Sequence, residues 1–402
     1  MTTIKVNDIT NVAGTGAPNF SDGIKYNGAA LSTLNTYEYT SSATEPSNPS
    51  NGALWWDSTN SQAKIYVNNS WKTVTLAGVN PFISDIAWGG DRGVFGTGSN
   101  TINGTLLDTQ DYITISTVGN ATDFGDAYEA RLDYSAVSSS TRGLFVAGRS
   151  GSVGTTGSNT NSIEYITFAT LDSAADFGDF VGSWDKYQAG ASNGTRGVFY
   201  GGYDGTNDAP DYGARIEIRY ITIGTLGNAA DFGDMSTYRR FANAVADSTR
   251  SVVAGGETRT GGQQWATDSM EYVTIATTGN ATSFGTLNTS GMSTSQGSSD
   301  TTRGIFMGGR GPSSSDDEIE YITIQTTGNS TDFGDLAVGD RIYNGVTSNG
   351  VRSVIGGGSG PSDTTLNTME YITIQTTGNG TDFGDLTVAR TRGVKACSGN
   401  PS

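Results

Sequence analysis

The chain has 402 residues, a net charge of −17, no histidine and one cysteine, so Ser-His-Asp and Cys-His catalysis, histidine metal sites and internal disulfides are all excluded. The acidic balance argues against holding nucleic acid or an anionic membrane through a basic face. Hydrophobic residues are 35% and charged residues 16%, with Ser, Thr, Asn and 57 glycines filling the difference, a mixture that favours short strands and tight turns and predicts an all-β chain.

The opening Met1-Thr2-Thr3-Ile4-Lys5-Val6 has no apolar run suited to a signal peptide or a membrane span, so synthesis in a cytoplasm is expected. Residues 1–45 read as an extended arm: one strand from Ile4 to Asn11, then an extended segment through Phe20. Such a segment cannot bury a core alone. It is expected to gain order by lying on a partner or by trimerising, with Ile4, Val6, Ile9 and Phe20 as apolar anchors, and a flexible tail is the alternative. Residues 46–80 offer three strands, Ala53–Asp57, Ala63–Val67 and Trp71–Thr75, joined by short polar turns into a small β module or linker.

The opening, with Gly23-Ile24-Lys25-Tyr26-Asn27-Gly28, resembles the N-termini of virion structural and tail-fibre proteins of cyanobacterial bacteriophages. Gly52-Ala53-Leu54-Trp55-Trp56-Asp57, followed by Lys64-Ile65-Tyr66-Val67 and Trp71-Lys72, is similar to a small β module common in phage fibres. The resemblance implies attachment to other virion proteins through the arm, in multiple copies (a homotrimer is one arrangement), with the rest of the chain projecting outward.

From residue 81 onward the chain repeats. Glu370-Tyr371-Ile372-Thr373-Ile374 recurs around Tyr321 and Tyr272, and earlier copies hold Tyr220, Tyr165 and Tyr112. Twelve residues after each Tyr stands a Phe: Phe124, Phe177, Phe232, Phe284, Phe333 and Phe383. Five of these sit in Asp-Phe-Gly-Asp, and only Ser283-Phe284-Gly285-Thr286 departs. Before each Tyr an Arg opens an apolar run: Arg92, Arg142, Arg196, Arg250, Arg303 and Arg352. A period near 50 residues suits propeller blades of four short strands. In the fourth unit these are Ala242–Ala246, Arg250–Ala254, Met270–Thr277 and a strand around Phe284.

An apolar strand, Gly-Gly, a loop, the Glu-Tyr strand, a turn and an aromatic together resemble the kelch repeat over residues 82–398, with Phe where that repeat usually has Trp. The expected fold is an all-β, kelch-like β-propeller occupying residues 81–402. Tyr and Phe are expected to pack between blades, the Arg to reach the next blade's carboxylate or carbonyls, and the Gly-Gly pairs to end strands near the crowded centre. The Asp-Phe-Gly-Asp turn reads as packing, with calcium held by its Asp pair as the alternative.

Arg392 to Ser398 aligns with a first strand, while residues 83–88 look like a first strand the first unit already owns. Two closures are open. The extra strand pairs with blade one in a six-bladed ring, or it begins a seventh blade completed by the three strands of residues 46–80. Six is the favoured count, and Cys397 then becomes a small buried residue of the terminal strand.

A carboxylate-pair glycosidase is formally open, yet the prominent acids recur in most units, where an active site would break the symmetry. Non-repeated acids, Asp204, Asp208, Asp211, Asp316, Asp317 and Glu318, fall in variable loops and read as solvated. Trp184, Tyr203, Tyr212 and Trp265, also in such loops, suit either stacking on a host glycan or capping of blade edges. No catalytic residue, metal or cofactor is expected, and neither nucleic acid nor membrane insertion. The expectation is a non-enzymatic virion protein, a tail fibre or tail appendage presenting a propeller for host-surface adhesion. A head-attached decoration or fibre protein, and a propeller glycan-processing enzyme, are the alternatives.

Overall fold

The computed structural model describes residues 25–26, 29–30, 39–42, 44–50, 53–57, 62–67, 70–73, 89–150, 159–180, 186–205, 213–260, 263–289, 292–294, 296–310 and 317–401. Among these the chain is all-β apart from one short 3-10 turn, Pro361–Asp363. Two compact units, Met1–Pro81 and Phe82–Ser402, divide it.

In the first unit, Tyr39–Ser42, Leu54–Asp57, Gln62–Val67 and Ser70–Thr73 form one sheet in chain order. The first pair is parallel and the other two are antiparallel. Alternation puts Ile65 and Val67, both buried, on one face and the buried Trp55 on the other, with Lys64, Tyr66 and Trp71. Trp55 is met edge-on by Trp71 at 5.4 Å, carries the Lys64 ammonium 4.6 Å above its ring, and donates its Nε1–H to Ser42 O at 3.1 Å. The anchors Ile4, Val6, Ile9 and Phe20 lie outside the described residues, as do residues 83–88.

In the second unit every repeat lays its strands side by side as a four-stranded antiparallel sheet, an arrangement compatible with a β-propeller. The first strands of the sheets, numbered here in chain order, are β1 (Ser135–Ser138), β2 (Ala189–Ser192), β3 (Asn243–Ala246), β4 (Gly297–Ser299) and β5 (Gly345–Ser348). The sheet built from Arg92–Phe95, Thr109–Thr114 and Thr122–Asp126 takes as its fourth member β6 (Ala396–Gly399), which pairs antiparallel with Arg92–Phe95. Each of β1 to β5 touches the next in the series, and β6 touches both β5 and β1. The strands of residues 46–80 pair within their own unit.

The repeated residues explain how sheet follows sheet. Each repeat Tyr meets its Phe edge-on at 6.0–6.2 Å between ring centroids. The Phe is buried and the Tyr half-buried, with the repeat Arg lying 4.1–4.9 Å above the Tyr ring. Of the two expected Arg partners, the carbonyl is the one found. Arg142 donates to Ile223 O, Arg196 to Ile275 O, Arg250 to Ile324 O and Arg303 to Ile374 O, at 2.7–3.0 Å. Arg92 donates to Phe168 O, and Arg352 returns to Ile115 O in the first sheet at 3.0 Å.

The Asp-Phe-Gly-Asp segment docks the turn of the following sheet. Gly378 N–H donates to Phe333 O at 2.8 Å, and Asp335 N–H donates to Asn379 Oδ1 at 3.2 Å. Gly334, at φ +144°, faces that turn so closely that a Cβ would stand 2.6 Å from the Gly378 backbone. The aspartates of the motif are exposed, except Asp385, which is half-buried. The Gly-Gly pairs end strands as expected, Gly255-Gly256 following Arg250–Ala254 and Gly308-Gly309 following Arg303–Met307. They abut the carbonyls of segments leading into the innermost strands, where a Cβ on Gly256 would lie 2.7 Å from Arg240 O.

A second set of links is buried. Arg131 pairs with Glu164 at 3.1 Å, Arg390 with Asp111 at 2.6 Å, Arg341 with Glu370 at 3.4 Å, and Arg239 with Glu271. The acid is the one before each repeat Tyr. The same guanidinium groups also donate to backbone carbonyls, as Arg390 does to Gly96 and Thr109, which offsets the cost of removing the charges from water.

Candidate functional site

Just before each inner strand the chain passes through a residue of positive φ: Asp133 (59°), Tyr187 (65°), Phe241 (56°), Thr294 (65°), Tyr343 (59°) and Gly393 (101°). Five of the six are not glycine, and each costs of order 1 kcal/mol or more in backbone strain. Hydrogen bonds hold this geometry. Tyr187 N–H donates to Asp133 O, Phe241 N–H to Tyr187 O, Thr294 N–H to Phe241 O and Tyr343 N–H to Thr294 O, at 2.7–3.0 Å. At the sixth position a Cβ would lie 2.3 Å from Asp133 N, so only glycine fits.

These six residues share one cavity with Tyr134, Gln188, Ala242 and Lys395. Its volume is about 20 Å³, room for about one water molecule. Asp133 is 3% exposed and is the one acid among the described lining residues. Burial raises its carboxyl above the usual range, while Arg392, Arg149, the Tyr187 hydroxyl and Lys186 oppose that rise. Arg149 Nη2 stands 4.0 Å from Asp133 Oδ2, yet neither carboxylate oxygen has a hydrogen-bond partner of ordinary geometry among the described residues. Gln188 (3% exposed) leaves both amide atoms unpartnered, and Thr294 (6% exposed) leaves Oγ1 so. Arg149 Nε and Nη2 are buried without hydrogen bonds as well, among the described residues, Nη2 having only its long ion pair to Asp133. Lys186 donates to Asn159 Oδ1 at 3.5 Å, and burial lowers its pKa against the pull of Asp133. Burial also brings Lys395 down to about 8.

Aromatic rings complete the rim. Tyr187 and Phe241 lie 3.9 Å apart between centroids, and Tyr187 and Tyr203 6.3 Å. Lys186 and Arg240 sit 5.2 and 4.9 Å from the Tyr203 ring, and Arg240 pairs with Glu257 at 3.2 Å. Tyr203 is thus the one expected glycan-contact residue that the structure brings to this cluster. Trp184 and Tyr212 lie outside the described residues, and Trp265 stands in the hairpin strand Gln263–Ala266, opposite Thr258. Among the loop acids, Asp204 pairs with Arg215 at 3.2 Å, Asp317 O accepts from Leu336 N–H, and Glu318 opens a strand; Asp208, Asp211 and Asp316 lie outside the described residues. Cys397 is buried in β6, and burial pushes its thiol pKa up. Among the described residues no group of three or more His, Cys, Asp and Glu side chains is placed to hold a metal ion.

Sequence reasoning missed Asp133, Arg149, Lys186, Gln188, Phe241 and Tyr343. The available signal was a contrast: at the positions preceding each inner strand, the six repeats carry five residue types where the neighbouring markers are nearly constant. Chemically the mouth offers donors and acceptors beside aromatic faces. Among the described residues no second carboxylate lines it beside Asp133.

No protein-family model and no curated protein matches the chain. Among solved structures it is similar to that of YjhT, with a TM-score of 0.58 and 13% identity, covering 75% of this chain and 98% of that one. At that identity the likeness carries the fold and nothing of the chemistry.

Proposed function

We propose that Phe82–Ser402 is a six-bladed, kelch-like propeller closed by its own C-terminal strand, and that it binds a ligand at the mouth around Asp133 without transforming it. The pairing of β6 with Arg92–Phe95 and the Arg352 bond to Ile115 support six blades over seven. The observation that carries the binding reading is the cluster itself, unrepeated and unsatisfied in an otherwise repetitive scaffold. The protein serves as a virion adhesion protein, a tail fibre or tail appendage held by its N-terminal arm, with the mouth turned to the host surface. That part rests on the resemblance of residues 1–80 to phage fibre proteins. Many copies per particle then convert weak single contacts into firm attachment.

The test has two arms. Antibody raised against Phe82–Ser402 should decorate phage particles in electron micrographs, and excess purified chain should block their adsorption to host cells. Unlabelled particles remove the virion assignment. Adsorption unaffected by excess chain removes the adhesive role, and polysaccharide turnover by the chain replaces binding with catalysis.

A further inference from the structure

The polar atoms in and beside the mouth that lack a hydrogen bond of ordinary geometry among the described residues are of both kinds, with Arg149 beside Asp133 and not in the cavity wall. Asp133 Oδ1 and Oδ2 and Gln188 Oε1 are acceptors, Arg149 Nε and Nη2 and Gln188 Nε2 are donors, and Thr294 Oγ1 is either. An anion would satisfy only the donors and would face the Asp133 carboxylate. A cation would satisfy only the acceptors and would meet Arg149, Lys186 and Arg392. A hydroxyl group both donates and accepts, so it serves the two sets together. From this we infer that the mouth recognises hydroxyl groups of an uncharged sugar residue at the end or edge of a glycan. The inference deepens the binding role proposed above and rests on it.

The cavity sets how the sugar enters. With about 20 Å³ available it admits one hydroxyl or the oxygen of a hydroxymethyl group, not a ring. The sugar ring stays outside, beside the partly exposed Tyr187, Phe241 and Tyr343. Aromatic faces accept the C–H side of a pyranose while the buried polar atoms read its hydroxyls, the division of labour usual in small-ligand sites. Binding at one such mouth is weak, with Kd in the millimolar range.

The experiment is a titration of the full chain with methyl glycosides of glucose, galactose and mannose, and with galacturonate, followed by saturation-transfer NMR. At least one methyl glycoside should bind saturably, about ten-fold or more tighter than galacturonate. Asp133→Asn, which keeps a residue tolerant of positive φ, and Gln188→Leu should each weaken it about ten-fold. Tyr128→Ala, at a 67% exposed position, should change nothing. Thermal melts check folding, and if Asp133→Asn fails to fold, Gln188→Leu carries the test. No saturable binding by any glycoside means that the cavity holds water alone, and the inference falls. Equal binding of galacturonate, or binding indifferent to both variants, overturns it as well. If excess chain still blocks adsorption while no glycoside binds, the adhesive role stands and only the neutral-sugar assignment is lost.

Discussion

The two ends of the inner strands differ in how far the repeats agree. At the exit end the equivalent residues are Ser138, Ser192, Ala246, Ser299, Ser348 and Ser398, which share with their strands a cavity of about 70 Å³. Ser192 Oγ donates to Ser138 O, Ser299 Oγ to Ala246 O, Ser348 Oγ to Ser299 O and Ser398 Oγ to Ser348 O, at 2.5–2.8 Å, so each hydroxyl ties its strand to the one before. At the entry end stand Asp133, Tyr187, Phe241, Thr294 and Tyr343, joined through backbone hydrogen bonds, with Gly393 packed against Asp133, and these positions differ in side chain. Where side chains hold the scaffold, the repeats keep one residue type. Where backbone holds it, side chains diverge and unsatisfied groups collect.

That contrast predicts different outcomes at the two ends, and the largest effect belongs to the strand that spans both. Removal of residues 394–402 deletes β6, exposes the edge of Arg92–Phe95 and uncovers Val94 and Phe168, which pack beside Cys397. Gln296 also loses both of its amide contacts to Ala396, at 2.9 and 3.1 Å. A loss of about 5 kcal/mol or more is expected, enough to abolish a single cooperative melt. An unchanged melting temperature would mean that β6 is peripheral.

Next comes Gly393→Ala, at the entry end. The new Cβ would meet Asp133 N at 2.3 Å, at φ +101°. Neither backbone can yield without disturbing the neighbouring strand, and a loss of about 2–4 kcal/mol in denaturant unfolding is expected. Tyr343→Ala, at the same end, removes a partly exposed ring and should cost only about 1 kcal/mol. If the two variants cost the same, the distinction between a backbone-held scaffold and freely varying side chains at this end fails.

A smaller effect depends on pH. Lys395 is brought down to about 8 from an ordinary 10.5, chiefly by burial. Below pH 8 folded and unfolded states both hold the proton, and the fold bears the cost of the enclosed charge. Between 8 and 10.5 only the unfolded state keeps it, so stability rises with pH there. Lys395→Met should therefore be more stable at pH 7 by about 1–2 kcal/mol, a figure discounted for the residue's partial exposure. The advantage should vanish by pH 10.5. An advantage constant with pH would assign it to packing instead.

Legibility in the sequence follows the same division. The Arg, Tyr and Phe markers were readable because each does the same job in every sheet, so self-comparison exposes it. Asp133 and Tyr343 were not, since occupants of equivalent positions share only a backbone angle, which residue type does not report. Tyr39–Ser42 was missed for another reason: Tyr-Thr-Ser-Ser lacks apolar alternation, and its parallel pairing with Leu54–Asp57 gives no hairpin turn to notice. The buried pair Arg390–Asp111 brings together residues of the last and first repeats, and neither residue marks the other in sequence.

The finest test uses the one exception in the serine series. Ser348 Oγ donates to Ser299 O at 2.8 Å, and Ser348 is 6% exposed, so Ser348→Ala removes a buried bond and leaves that carbonyl with one partner fewer. The expected cost is about 1 kcal/mol. Ala246 occupies the same place in β3 at 2% exposure, beside the same shared cavity as Ser192. A hydroxyl added there by Ala246→Ser has the carbonyl of Ser192 as its equivalent acceptor and water-sized space beside it, so the variant should be neutral or more stable by up to about 1 kcal/mol. Paired thermal melts of the two variants decide the matter. If Ala246→Ser costs as much as Ser348→Ala, the serines are retained for their volume and not for the bond, and the exit end is no longer held by side chains in the sense argued above.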